Sequence, residues 1–544
     1  MEQSKSPLAL GLDLSTQSLK VVAINSQLQV VYRSQVHFDS ELPHYKTNMG
    51  IHIKQSNQVT SPVLMFIEAL DLLLIKMKSD KFPFNEVVAI SGSGQQHGSV
   101  YWTVEGKKIL ENLSESEPLV DQFQSKKSFS LDDSPIWMDN STTEYCHKLE
   151  SFLQGPTNLA KKTGSKAYER FTGNQIAKIR DRTPNIYQNT CHISLISSFL
   201  AELFKGEFAQ IDLSDGCGMN LLDLETGNWD SEICDFVGPN LQEKLGKPVP
   251  SHKVLGKINQ YFVKKYGFND DCSIVAFSGD NPNSLVGLGV FDEKDVCISL
   301  GTSDTIFGLV ASNESNKSLE GHIFISPVDP KLHFVMICTK NGSSVRENIK
   351  RTFTSNTWDD FEAHLKQTPP GNEGYLYLMY DYPEIVPYVE GSQVSFSFDK
   401  NGDKIEKLND NHIIRGVLEG KFVALKYHAA KKGLVPKEDG KIFVTGGGSK
   451  NKEILQILAN IFQKEVCTIQ VEDSAALGAA IRALHGFNAN EYKEFLSFKE
   501  LFSDFLKNRN QGLSVVKPDL STKQKYQQLE DLYSKVLPIV TKQS

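Results

Sequence analysis

LALGLDLSTQSLKVVAI (residues 8–24) sets two apolar runs on either side of a short turn of small hydroxyl residues, Leu14-Ser15-Thr16-Gln17-Ser18. Apolar runs of this length bounded by turn residues predict two strands joined as a tight hairpin. VCISLGTSDTIFGLV (residues 296–310) repeats the pattern. Aligning Leu14-Ser15-Thr16 with Leu300-Gly301-Thr302 superimposes the two segments, 286 positions apart in a chain of 544 residues. A hairpin with the same turn chemistry recurring after about half the chain predicts two lobes of similar build.

Outward from the hairpins the chain alternates strands and helices. Residues 87–90 read as a strand followed by the glycine turn Ser91-Gly92-Ser93-Gly94, and residues 273–277 as a strand followed by Ser278-Gly279-Asp280-Asn281-Pro282. Ile442–Thr445 reads as a strand followed by Gly446-Gly447-Gly448, and then a helix with Ile454, Ile457, Leu458, Ile461 and Phe462 on one face. Residues 474–485 form an Ala-rich helix for which Gly486 is the expected stop. Strand, glycine turn, helix is the local pattern of α/β sheets, where ligands sit at the C-terminal ends of the strands. Residues 105–134 and 400–411 are polar and read as surface insertions, and residues 490–544 as a helical tail.

Composition narrows the class. Apolar residues make up 40% and charged residues 23%, as in an ordinary globular chain, and the length suits two to four domains. Lys plus Arg is 58 against 66 Asp plus Glu, a formal charge of −8, which disfavours a nucleic-acid backbone as partner. None of the eight cysteines forms a C-x-x-C pair, so they read as thiols in a reducing compartment rather than as zinc ligands or disulfides. Residues 62–77, the longest apolar stretch, are interrupted by Glu68 and Asp71 and read as an amphipathic helix, not a membrane span. Met1-Glu2-Gln3-Ser4-Lys5 lacks the apolar core of a signal peptide, and Lys542-Gln543-Ser544 is no recognised address, so a cytoplasmic location is expected.

Seven places could carry chemistry. Asp13 opens the first hairpin turn. Such a turn exposes backbone N–H groups that suit phosphate oxygens, and an acidic neighbour suits Mg²⁺, although a plain hairpin with Asp13 satisfying turn amides explains the same residues. Gly301-Thr302-Ser303 is a second such cradle. Gly446-Gly447-Gly448 allows the close backbone approach an adenosine pocket needs, or simply a tight turn; neither a Walker A loop nor a G-x-G-x-x-G fingerprint is present. Asp280 stands at a strand mouth before Pro282 and reads either as a helix cap or as a general base for phosphoryl transfer to an alcohol. Gln95-Gln96-His97 and Arg170 offer the donors a polyhydroxylated ligand requires, and Trp358 either stacks on a nucleobase or belongs to a core.

Together these pieces resemble the FGGY family of carbohydrate kinases. The resemblance rests on GLDLSTQSLK (11–20), SGSGQQHGSVYW (91–102), SPIWMDNST (134–142), AYERFTGNQIAKI (167–179), DLSDGCGMNLLD (212–223), AFSGDNP (276–282), SLGTSDT (299–305), LEGHIF (319–324) and TGGGSKNKEILQ (445–456), in family order. It is strongest to the eukaryotic members that act on the ketopentose D-xylulose. It departs from many bacterial members in the first loop, Asp13-Leu14-Ser15-Thr16 in place of Asp-x-Gly-Thr, and in lacking a Lys-x-x-Trp core between residues 191 and 204.

The resemblance implies an α/β fold of two actin/hexokinase-like (ribonuclease H-like) lobes with a cleft between them. It implies an N-terminal lobe over residues 1–290, a C-terminal lobe over 291–490 and a helical tail over 491–544. It implies ATP and Mg²⁺, with Asp280 as the base that takes the proton of the sugar hydroxyl and His97, Arg170, Asn281 and Gln96 around the sugar. Ser15, Thr16 and Gln17 match the first phosphate loop, Gly301, Thr302 and Ser303 the second, and Gly447, Gly448 and Asn451 the adenosine site flanked by Trp358. Asp13 matches the acidic residue near Mg²⁺. The expected partners are small molecules only, with no nucleic acid and no membrane, for a monomer or small homo-oligomer. A kinase of the same family for ribulose, glycerol or a sugar acid, and a nucleotide-dependent binding module of the same fold, are the rival expectations.

Overall fold

The computed structural model describes residues 7–124, 127–510 and 513–542. Met1-Glu2-Gln3-Ser4-Lys5, Ser125 and Lys126 within the expected insertion, and the last two residues lie outside the described residues. The chain divides into two units, the first comprising Met1–Phe291, Ile323–Phe334 and Glu472–Asn508, the second Asp292–His322, Val335–Val471 and Arg509–Ser544.

In the first unit the opening hairpin forms as read: Leu8–Leu14 pairs antiparallel with Ser18–Ile24, which pairs in turn with Val30–His37. On its other side Leu8–Leu14 pairs parallel with Val87–Gly94, and that strand pairs parallel with Ser273–Val275 and with Ser278–Gly279. Leu8–Leu14 is buried along its whole length, as a sheet covered on both faces demands. The helix Ser474–Tyr492 lies on it at backbone distance: a Cβ built on Gly11 would stand 2.0 Å from the Ala476 carbonyl oxygen. That is why the helix is rich in alanine. The same helix packs against Asp280–Gly287, where a Cβ on Gly478 would stand 1.8 Å from the Asn283 carbonyl oxygen.

The second unit repeats the plan. Val296–Leu300 and Asp304–Ala311 form the second hairpin, and Val296–Leu300 pairs parallel with Ile442–Thr445. That strand pairs parallel with Val466–Thr468, which is edged by Ser514–Val516. The helix Lys452–Phe462 buries Ile454, Ile457, Leu458, Ile461 and Phe462, the face its spacing predicts.

Four local readings are corrected. Ser91-Gly92-Ser93-Gly94 is strand, not turn, because Val87–Gly94 runs straight through it. Its glycines serve close packing: a Cβ on Gly92 would meet the Phe277 ring at 2.3 Å. Gly486 does not stop its helix, which continues to Tyr492; the residue lies where a Cβ would stand 2.5 Å from Val275 Cγ1. Residues 105–134 are not a mere surface insertion, since Leu110, Leu119, Val120, Phe123 and Phe129 are buried in the first unit's core. Among the described residues of the tail, the helices Phe498–Leu501, Ser503–Asn510 and Lys523–Lys542 form as expected, and Ser514–Val516 is a strand. All eight cysteines are free thiols, six of them buried. Among the described residues no helix is long and apolar enough to cross a membrane.

Candidate active site

Strand register assembles the first unit's site. Asp13 lies opposite Ser93, Ser93 opposite Ser278, and Gly94 opposite both Leu14 and Gly279. The three parallel strands therefore end level, and the residues that follow each end emerge side by side: Ser15-Thr16-Gln17 after the first, Gln95-Gln96-His97 after the second, and Asp280-Asn281 after the third. This is the C-terminal edge where α/β sheets bind ligands.

Asp280 occupies the first turn of the helix Asp280–Gly287, whose cap is Gly279 without a side-chain bond, so Asp280 does not serve as the cap. Its Oδ1 accepts from the Asn281 backbone N (2.8 Å) and from Asn281 Nδ2 (2.9 Å). The same Nδ2 donates to Gln96 Oε1 at 2.9 Å. Burial, and then the charge of Asp13, push the Asp280 carboxyl up to about 7. Asp13 is itself raised to about 6 by burial, and its Oδ1 is buried without a hydrogen-bond partner.

His97 Nδ1 lies 2.8 Å from the Gly218 carbonyl oxygen. A carbonyl only accepts, so Nδ1 carries the hydrogen and Nε2 keeps its lone pair for a ligand hydroxyl. Burial, and then the positive charge of Arg170, hold the ring neutral by lowering its pKa to about 3. The ring stacks on Phe171 with centroids 4.5 Å apart. The Arg170 guanidinium lies 4.9 Å from the Tyr168 ring centroid. Asp280, Asn281, Gln96 and His97 are thus joined by direct bonds or short sequence, and Arg170 adjoins His97 through the Phe171 ring.

The first loop is tied to this group. Ser15 N and Oγ both donate to the Ser18 carbonyl at 3.0 Å, which closes the turn. Thr16 Oγ1 donates to Gln95 Oε1 (3.3 Å) and accepts from Trp137 Nε1 (3.0 Å). Gln17 is exposed at the tip. Trp137, half exposed, and Asp215, buried, are neighbours of the site that the sequence reading left without a role. Both stand inside quoted motifs, SPIWMDNST and DLSDGCGMNLLD, and that was the only signal available.

In the second unit a cavity of about 630 Å³ brings together Gly301, Thr302, Trp358, Gly447, Gly448 and Asn451. Ser303 closes the second loop, its carbonyl accepting from Gly301 N at 3.2 Å. A buried ion pair, Arg346 to Asp304 at 2.6 and 3.0 Å, supports the loop from below. Trp358 opens a helix beside the cavity with Lys350 Nζ 4.9 Å from its ring centroid, so it is not a core residue. Asn451 caps the helix Lys452–Phe462 through Oδ1 and donates from Nδ2 to Glu362 at 2.8 Å. The glycines divide their work. Gly446 takes φ 86° against the Leu300 backbone, whereas a Cβ on Gly447 would meet nothing within 4 Å and would project into open space. Gly447→Val is therefore expected to leave folding intact and, on the nucleotide site that the family resemblance implies here, to raise the KM for ATP by about tenfold or more through overfilling. Parallel thermal melts and ATP titrations check this.

Matches to family models fall on both halves of the chain: the N-terminal domain of the FGGY family of carbohydrate kinases over residues 123–287 and its C-terminal domain over residues 296–487. The chain belongs to the FGGY family of carbohydrate kinases. It is 45% identical to the xylulose kinase of Mus musculus over 96% of this chain and 93% of that one. It is 42% identical to xylulose kinase 2 of Arabidopsis thaliana over 91% and 90% of the two chains. The fold matches that of the xylulose kinase from Rhodospirillum rubrum with a TM-score of 0.77 at 15% identity, covering 98% of this chain and 99% of that one. As a member of this kinase family the protein uses ATP and small-molecule substrates.

Proposed function

We propose that the protein transfers the γ-phosphoryl group of ATP to O5 of D-xylulose, giving ADP and D-xylulose 5-phosphate. The observation that carries the reading is the half-buried Asp280 carboxylate at the end of the sheet, held by Asn281, which is in turn bonded to Gln96. Relatives above 40% identity over nearly the whole chain, named as xylulose kinases, support the choice of sugar. O5 attacks the γ-phosphorus while the bond to the β-phosphate oxygen breaks, and the O5 proton passes to Asp280. His97 accepts from a sugar hydroxyl through Nε2, while Arg170, Asn281 and Gln96 hold others. Ser15, Thr16 and Gln17, and Gly301, Thr302 and Ser303, offer the phosphates backbone and hydroxyl donors. Gly447, Gly448, Asn451 and Trp358 hold the nucleoside.

The residues present fit Mg²⁺ at Asp13, whose buried Oδ1 lacks a partner at the mouth of a hydroxyl-lined turn. When bound with the nucleotide, Mg²⁺ would neutralise charge on the phosphates. An ADP-release assay over D-xylulose, D-ribulose, glycerol, D-gluconate and no sugar tests the reading. D-xylulose is expected to give the highest kcat/KM. A preference for another polyol would replace the substrate, and ADP release indifferent to every sugar would favour a binding module.

A further inference from the structure

Asp215 is a buried carboxylate that the reaction above leaves unused. It is 2% exposed, its Oδ2 accepts from Ser197 Oγ at 2.5 Å, and its backbone N donates to Asp212 Oδ1 at 2.7 Å. Its Oδ1 has no partner. Gln96 is equally buried, and its Oε1 is occupied by Asn281 Nδ2. That bond fixes which end of the amide is which, so Nε2 points the other way; it makes no hydrogen bond of ordinary geometry, yet it lies close enough to Asp215 to favour the ionised carboxyl.

The two orphans converge on Gly279. A Cβ built there would stand 2.7 Å from Asp215 Oδ1, 2.8 Å from Gln96 Nε2 and 2.6 Å from Gln96 Cγ. One orphan is an acceptor, the other a donor, and only glycine leaves room for them. Buried polar groups seek partners, and hydrogen bonds of a catalytic site are often long without substrate and tighten when it binds. The remaining links are already formed. Asn281 Nδ2 has two hydrogens, and it spends one on Gln96 Oε1 and one on Asp280 Oδ1, each at 2.9 Å.

We propose that Asp215 is a positioning residue. By accepting from Gln96 Nε2 it fixes the Gln96 amide, through it the Asn281 amide, and so the direction in which the Asp280 carboxylate faces the sugar hydroxyl. This rests on Asp280 being the base. The burial that raises Asp215 to about 8 is compatible, because the Oδ1 of a protonated or an ionised carboxyl can accept.

The test reverses the polarity of one bond. At pH 9, where Asp215 is ionised, Gln96→Glu keeps an acceptor toward Asn281 but turns a second acceptor on Asp215, and kcat with D-xylulose and MgATP is expected to fall about 100-fold with the KM for ATP unchanged. Adding Asp215→Asn supplies a donor to that second oxygen, and the pair is expected to return to within about tenfold of the parent. A general structural role for Asp215 would alter melting temperature without such partner-specific rescue. A pair no faster than Gln96→Glu alone, or a Gln96→Glu variant at parental speed, overturns the proposal. If Gln96→Glu does not fold, a folded and active pair is the same rescue, and an inactive or unfolded pair overturns it. Asp280→Asn run alongside separates the two readings. Retained turnover there removes the base, whereas its loss without rescue of the pair removes only the positioning role.

Discussion

Asp280→Asn is expected to lower kcat by about 10²–10⁴-fold, roughly 3–5 kcal/mol of barrier, while leaving sugar binding within a few-fold of the parent. The asparagine is isosteric and keeps an oxygen for the Asn281 backbone N and Nδ2, so the local bonds survive and the loss is that of a proton acceptor. As the proposed base, the same carboxylate is expected to set the pH dependence. Burial first, and Asp13 second, raise it to about 7, so the fraction able to accept a proton falls as pH drops through that value. The kcat/KM of the parent is expected to fall tenfold per unit on the acid side and to level off above about pH 7. His97 adds no second break near neutrality, because burial and Arg170 keep its ring neutral down to about 3. Steady-state profiles of the parent and the asparagine variant check this. A variant with near-parental turnover, or a profile flat from pH 5 to 8, would remove Asp280 from the role of base.

Much of this site was legible in the sequence because its parts are local. Leu8–Leu14 and Val296–Leu300 announce themselves as buried strands, and a strand's end is where the following side chains emerge. Asp280, His97 and Gly447 each follow a strand within a few residues, so the edge could be listed before its register was known. What was not legible came from packing between distant segments. Ser91-Gly92-Ser93-Gly94 has turn composition, yet it is strand because Phe277 and its neighbours need close approach. Gly486 has the look of a helix stop, yet it lies mid-helix because Val275 crowds the same spot. Asp215 carries no local mark beyond its place in DLSDGCGMNLLD. Its meaning depends on an orphaned amide 119 positions earlier in the chain and on the absence of a side chain at Gly279. Propensity and spacing see neighbours in sequence, and these residues are neighbours only through the fold.

Arg482→Met is expected to destabilise the first unit by about 3–5 kcal/mol, the cost of breaking a buried charge pair from one side. Arg482 is 1% exposed. Its Nη1 donates to Asn283 Oδ1 at 2.9 Å, and its Nη2 donates to the carbonyls of Ser251 (2.7 Å) and Ala276 (2.9 Å). Nη2 also lies 3.7 Å from the buried Asp212 carboxylate. One planar fork thus ties the Ala-rich helix to the Asp280 helix through Asn283 and to the chain just before Ser278–Gly279 through Ala276. Methionine restores the volume but none of the donors. It leaves Asn283 Oδ1 and the Ser251 carbonyl without that donor, the Ala276 carbonyl with Ser91 Oγ (3.0 Å) in its place, and Asp212 with only neutral donors from Ser278 Oγ, Ser251 Oγ and the Asp215 amide. Lysine keeps the charge and three donors but holds them on one nitrogen, which cannot span acceptors placed around both Nη1 and Nη2, so Arg482→Lys should recover only part of the loss. Urea denaturation of both variants measures the size. Because Asn283 sits three residues after Asp280 in one helix, kcat at temperatures below unfolding should fall with methionine and recover partly with lysine. A methionine variant as stable as the parent would mean that the Asp212 charge is balanced without Arg482.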